Sequence, residues 1–194
     1  KHHEGQLPSQ QQAIEEISEI TKDVDFVGLF ASGPVVKASA NSKGQKHWFS
    51  TENFFMDFSL FTKNIDGENK AVKGVYAESK WSQDQFNVKL INAKNQISLL
   101  RKKSTQLKPG SYKVYLAPGA VAELCNMISW NALSFSAYKN GNSAFAKLYD
   151  GKVQLSPKLN LKENFKLGMT PQFNSNGEMA PDELSLIENG VLKN

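Results

Sequence analysis

Between Ser82 and Lys103 the apolar residues Phe86, Leu90, Ala93, Ile97 and Leu100 recur at intervals of four, three, four and three. That spacing puts all five on one side of an α-helix. Ser82 followed three places later by Gln85 is the pattern of an N-terminal capping box, so the helix starts there and runs to about Lys103. A seam of about two heptads is too short to sustain a coiled coil, so the stripe needs a sheet to lie on. The preceding residues supply one. Ser9 and Gln12 repeat the capping pattern ahead of an amphipathic helix over Gln10 to Lys22. Asp25 to Ala40 reads as two short strands around a Gly33-Pro34 turn, and Asn41 to Gly44 is turn chemistry. His47 to Thr51, Asn53 to Thr62 and Ala71 to Glu78 read as further strands. Residues 1–107 are thus expected to form an α+β domain, an antiparallel meander of four or five strands with amphipathic helices packed on it.

Gln106 to Ser111, with Pro109-Gly110, breaks the pattern and marks a boundary. Residues 111–194 are expected to begin a second, β-rich α+β domain. Tyr112, Val114 and Leu116 alternate with Lys113 and Tyr115 as in a strand. Pro118 then falls where a first helical turn tolerates it, and Val121, Leu124, Cys125, Ile128, Ala132 and Phe135 recur at helical spacing. Lys139 to Asn142 reads as a loop, Ser143 to Tyr149 fits helix or strand, and Leu155 to Leu161 reads as a strand interrupted by Pro157. Asn164 to Pro181 lacks periodicity and reads as a long connection. Leu184 to Lys193 forms a hairpin about Asn189-Gly190. A chain that opens at Lys1 and closes on a hairpin reads as a fragment of a longer protein.

The chemistry-bearing residues are sparse. The three histidines are His2, His3 and His47. The first two sit in a polar lead that reads as a solvated end, and His47 reads as a strand or loop histidine with a structural partner. Cys125, the one cysteine, allows no disulfide framework, and its place on an apolar helix face reads as a buried, inert thiol. Asp182 and Glu183 read as solvated charge. No Gly-x-Ser-x-Gly turn and no glycine-rich phosphate loop is present. The net charge of +4 and pI near 9.0 come from lysines spread along the chain, which argues against a nucleic-acid site. No apolar run is long enough to span a membrane. Residue chemistry alone describes a binding or scaffolding module, expected to carry no catalytic residue and no metal.

From Tyr112 onward the order of motifs adds to this. Val114-Tyr115-Leu116-Ala117-Pro118 leads into the helix. Gly141-Asn142-Ser143 then leads to Leu148-Tyr149-Asp150-Gly151-Lys152. Ser156-Pro157-Lys158-Leu159, Phe173-Asn174-Ser175-Asn176-Gly177 and the closing Leu186-Ile187-Glu188-Asn189-Gly190-Val191-Leu192-Lys193 follow. This series resembles the TldD/PmbA (TldE) family of bacterial peptide-maturation proteases, also described as modulators of DNA gyrase. Residues 1–107 fit it more loosely, through the Ala40 to Gly44 turn and the helix before Pro109.

The resemblance implies a metallopeptidase subunit with a His-Glu-x-x-x-His motif on the helix after the strand, and a partner subunit without it. Here the motif positions hold Asn126, Met127 and Asn131. Asn174 and Asn176 replace acidic residues of the family's later Phe-Asp-x-Glu-Gly segment. The resemblance therefore implies the metal-free PmbA-type subunit, a cytoplasmic homodimer or a heterodimer with a TldD-type subunit, enclosing an unfolded peptide. Zinc is expected only in the catalytic partner. Two alternatives stay open: a stand-alone peptide- or protein-binding module, and a diverged peptidase built around His47 or Cys125.

Overall fold

The computed structural model describes residues 1–194. It is an α+β protein with one mixed and one antiparallel sheet. The chain divides into two compact units. The first is built on Lys1–Lys108 with Gly168–Pro171 and Ser175–Gly177, the second on Pro109–Leu167 with Gln172–Asn174 and Glu178–Asn194.

In the first unit the elements run β1 (His2–His3), α1 (Gln10–Thr21), β2 (Asp25–Ala40), β3 (Lys46–Lys63), β4 (Asn69–Glu78) and α2 (Gln83–Leu100). β3 is the spine. It pairs antiparallel with β2 from Ala40↔Lys46 to Asp25↔Phe61, and with β4 from Phe54↔Glu78 to Lys63↔Asn69. β4 stops opposite Phe54, which leaves the edge of β3 at Ser50 and Thr51 open. β1 fills it in parallel, His2 beside Ser50, with His2 Nδ1 2.7 Å from Ser50 Oγ. The histidine lead is therefore a strand and not a solvated end, because an unpaired ladder segment was there to take it.

Two further expectations are corrected. Gly33-Pro34 is not a turn: it lies within β2, opposite Asn53 and Glu52, and β2 is one strand of 16 residues. β2 is an edge strand, where a proline's missing N–H removes no ladder bond, and Gly33 at φ 148° takes up a conformation that side chains resist. Likewise His47 to Thr62 is not two strands but part of the unbroken 18-residue β3, because partners on both sides carry the ladder across Glu52 and Asn53. The meander thus has three long strands.

Even-numbered positions of β3 point to the helices. Phe54, Met56, Phe58 and Leu60 are buried with Val72 and Tyr76 of β4 and with Phe86, Leu90, Ala93 and Ile97 of α2. The sequence stripe of α2 is therefore the packed face, and each fully buried aliphatic or aromatic side chain contributes about 1.5–3 kcal/mol. Rings interlock around Trp81, which lies 5.2 Å from Phe54, 5.5 Å from Tyr76 and 5.8 Å from Phe86. Its indole N–H donates to Glu16 Oε2 at 2.6 Å and so ties α1 to the sheet's end. Gly74 is required by close approach: a Cβ there would sit 2.3 Å from the Phe58 ring, which covers it from the neighbouring strand. Ser9 and Ser82 cap α1 and α2 by accepting from the N–H groups of Gln12 and Gln85.

The second unit contains α3 (Pro118–Asn131), α4 (Phe135–Lys139), α5 (Ala146–Tyr149), β5 (Leu161–Asn164), β6 (Glu183–Glu188) and β7 (Val191–Leu192). β5, β6 and β7 form an antiparallel sheet in that order. Asn189 and Gly190, at φ 50° and 77°, make the tight turn between β6 and β7, as their sequence requires. Two strand expectations fail. Leu155 to Asn160 forms no strand: Leu155 N–H donates to Gly190 O, and Gly190 N–H to Leu159 O, so the segment wraps the turn instead of pairing along a strand. Tyr112 to Leu116 forms no strand either, since no ladder in the chain offers it a partner.

Candidate functional site

α3 carries the three motif positions. Pro118 occupies its first turn, where no backbone N–H is needed, and Ala117 at the N-cap supplies no side-chain bond. Position 126 and position 131 are five residues apart, a turn of roughly 140° around the axis, so their side chains leave the helix in different directions. Asn126 and Asn131 are exposed, and Met127 between them is 57% exposed. The Asn126 carbonyl accepts from Ser129 Oγ at 2.7 Å.

No residue of α3 is buried. Val121, Leu124 and Trp130 are exposed, and so are Tyr112, Val114, Tyr115 and Leu116 just before them. Cys125 is half-buried, which corrects the expectation of a buried thiol. The stripe at 121, 124, 125, 128 and 132 closes only at its end. There Ala132 is buried, its carbonyl accepting from Ser143 Oγ at 2.7 Å, and Leu133 O accepts from Tyr149 Oη at 2.9 Å.

Beyond this anchor Tyr138 and Tyr149 stack at 4.5 Å, and Tyr138 Oη donates to Asp150 Oδ1 at 2.8 Å. The ammonium of Lys152, 2.8 Å from Asp150, holds that carboxyl below the usual range, and the Tyr138 bond acts the same way. The same bond to Asp150 raises the Tyr138 phenol, whereas burial raises Tyr149. This cluster uses every polar atom it brings together and fixes the end of α3.

The donor set on α3 is two amides, a thioether, one thiol and Glu123. Amide oxygens and thioethers do not replace the imidazole and carboxylate ligands of a catalytic zinc, and nothing there can serve as a general base in the glutamate's place. The family's metal does not fit these residues. No group of three or more His, Cys, Asp or Glu side chains anywhere in the chain is placed to hold a metal ion. His47 lies in β3 opposite Ser39, in a different unit from Cys125. Glu183 opens β6, and the Lys162 ammonium at 2.9 Å lowers its carboxyl pKa; Asp182 accepts from Gln172 Nε2.

Residues 109–194 match the family model of the PmbA/TldA metallopeptidase C-terminal domain. The match supports the PmbA/TldD family for that part of the chain and, with it, a peptidase-related function. No curated protein and no solved structure gives a significant match to the chain. No helix is long and apolar enough to cross a membrane.

One pair of charged residues escaped the sequence reading. Asp57 and Lys73 meet at 2.9 Å on the sheet face opposite the helices, among Val27, Leu29, Phe55 and Val75. Asp57 Oδ1 is buried there without a donor. The signal was present in Asn53 to Phe61, where both odd and even positions are apolar, the mark of a sheet covered on both faces.

Proposed function

We propose that this chain acts as the non-catalytic, PmbA-type subunit of a cytoplasmic peptide-processing assembly, contributing to a dimer with a catalytic TldD-type subunit and to the enclosure of an unfolded peptide. The observation that carries this reading is the composition of α3: Asn126, Met127 and Asn131 stand, exposed, at the positions that the family resemblance assigns to two metal ligands and a base. A helix so rich in apolar residues is suited to lining a chamber against peptide or partner, and its side chains cannot cleave a peptide bond through a bound metal.

The test is metal content and peptidase turnover, measured on the chain alone and mixed with a TldD-type subunit. The chain alone is expected to bind no stoichiometric zinc and to leave an unfolded peptide intact, and the mixture is expected to cleave it. Zinc bound one to one by this chain, with turnover lost to a chelator, would overturn the assignment.

A further inference from the structure

The three-stranded sheet of the first unit has one face packed by helices and one face bare, and the bare face is apolar. Odd positions on its strands point away from the helices, and Val27, Leu29, Val35, Phe55, Phe61 and Val75 there are 42–66% exposed. An antiparallel sheet that faces water alternates apolar with polar residues; β2 and β3 do not. The face is interrupted by one ion pair, Asp57 with Lys73, and by a groove of about 250 Å³. The groove lies against Ala31, Gly33, Val35, Asn53 and Phe55, and it is open because Gly33 has no side chain and no atom lies within 4 Å of where one would begin.

We propose that this face packs on the same face of a second copy, forming a two-layer sheet sandwich. The register of β3 makes the face complementary to itself. Asp57 lies midway between Asn53, beside the groove, and Phe61, an exposed ring at the other end. A two-fold axis crossing the strands at Asp57 lays the Phe61 of each copy over the groove of the other, so one knob and one hole serve twice, as an isologous contact requires. The same axis brings two Asp57–Lys73 pairs together with opposite charges adjacent. Lys73 keeps donors to spare on an exposed ammonium, and Asp57 keeps an oxygen without a donor. Strand rise and spacing give the face a flat footprint of roughly 500 Å². With side-chain relief this approaches the roughly 800 Å² per partner of a standard stable interface.

This inference stands on the sheet alone and does not depend on the peptide-processing reading, so a failure here leaves the metal and turnover test intact. The experiment is sedimentation velocity on the whole chain across a concentration series reaching well above the micromolar range. Wild type is expected to reach a dimer and stop. Phe61→Lys and Leu29→Lys, both at exposed positions that leave the helix-side core untouched, are expected to weaken dimerisation by about 10-fold or more with unchanged circular dichroism. Ile65→Lys, equally exposed but in the turn after β3, is expected to leave it unchanged. A chain that stays monomeric throughout overturns the proposal and assigns the face to some other occupant. So does a dimer indifferent to Phe61→Lys, association weakened as much by Ile65→Lys, or growth beyond the dimer.

Discussion

The two long helices α2 and α3 make the sharpest contrast in the molecule. α2 has modest apolar content confined to one stripe, and that stripe is buried: Phe86 and Leu90 are 0% exposed. α3 is richer in apolar residues over its whole surface, and none of its residues is buried. Apolar content says how much a helix would gain from burial, whereas the neighbouring elements decide whether it is buried. α2 follows directly on the meander that covers it. α3 is held at its end, by Ser143 and Tyr149, and follows a segment that finds no strand to pair with.

The largest expected effects test that contrast directly. Phe86→Ala should cost about 3–5 kcal/mol, since the ring is enclosed by Phe58, Tyr76 and Trp81 and its removal leaves a cavity. Leu124→Ala, on a 42% exposed side chain, should cost less than about 1 kcal/mol. Urea unfolding of both variants, followed by Trp81 and Trp130 emission in single-tryptophan backgrounds, separates the two units. Comparable losses would mean that α3 is covered in solution and would remove the contrast.

Within the second unit, order is expected to reside in the terminal hairpin more than in α3. Gly190→Ala would impose a side chain at φ 77° and place its Cβ 2.2 Å from Leu155 O, where backbone must move. A loss of about 1–3 kcal/mol is expected, with cleavage of the second unit at much lower protease concentration. A neutral outcome would show that the turn and the Leu155 to Leu159 wrap form independently.

How much of this was legible in the sequence follows the same division between local and non-local causes. The α+β class, α1, α2 with its buried stripe, the Asn41 to Gly44 turn and the Asn189-Gly190 hairpin depend on residues close in sequence, and the structure contains them. Gly33-Pro34 was misleading because turn residues and edge-strand residues are the same residues, told apart only by the 18-residue β3 that runs beside them. Tyr112 to Leu116 alternates as a strand should, but a strand needs a second one. Cys125 lies on the expected helix face, yet that face is only partly covered. At the candidate site, Asn126, Met127 and Asn131 took their meaning from a family resemblance. The Asp57–Lys73 face was readable from β3 itself, in apolar residues on both parities.

Capping gives a smaller and more local contrast. Ser82 accepts from Gln85 N–H at the start of α2, while Ala117 leaves α3 uncapped. Ser82→Ala should cost about 1 kcal/mol, and Ala117→Ser should raise the stability of the second unit by about 0.5–1 kcal/mol. Both are read as shifts of the urea midpoint at constant slope. If Ala117→Ser has no effect, helix formation in α3 is not what limits the second unit.

The smallest effect at neutral pH separates the units by titration. Burial raises the Tyr76 phenol above its ordinary value of 10.0, because the phenolate would lose its hydration beneath α2. A group whose folded pKa is raised lends stability that is complete below the unfolded pKa and is lost as pH rises through the folded one. The first unit should therefore weaken above about pH 10, and Tyr76→Phe should flatten that loss. The hydroxyl's bond to Ser82 O is long, 3.5 Å, so removing it should cost under about 1 kcal/mol at pH 7. Burial moves Tyr149 in the same direction, so the second unit keeps its own alkaline loss in this variant. Stability profiles from pH 7 to 11, read at Trp81, should thus diverge between wild type and Tyr76→Phe only at the alkaline end. Parallel profiles would show that Tyr76 ionises without strain, and hence that the aromatic core under α2 opens more readily than its 1% exposure implies.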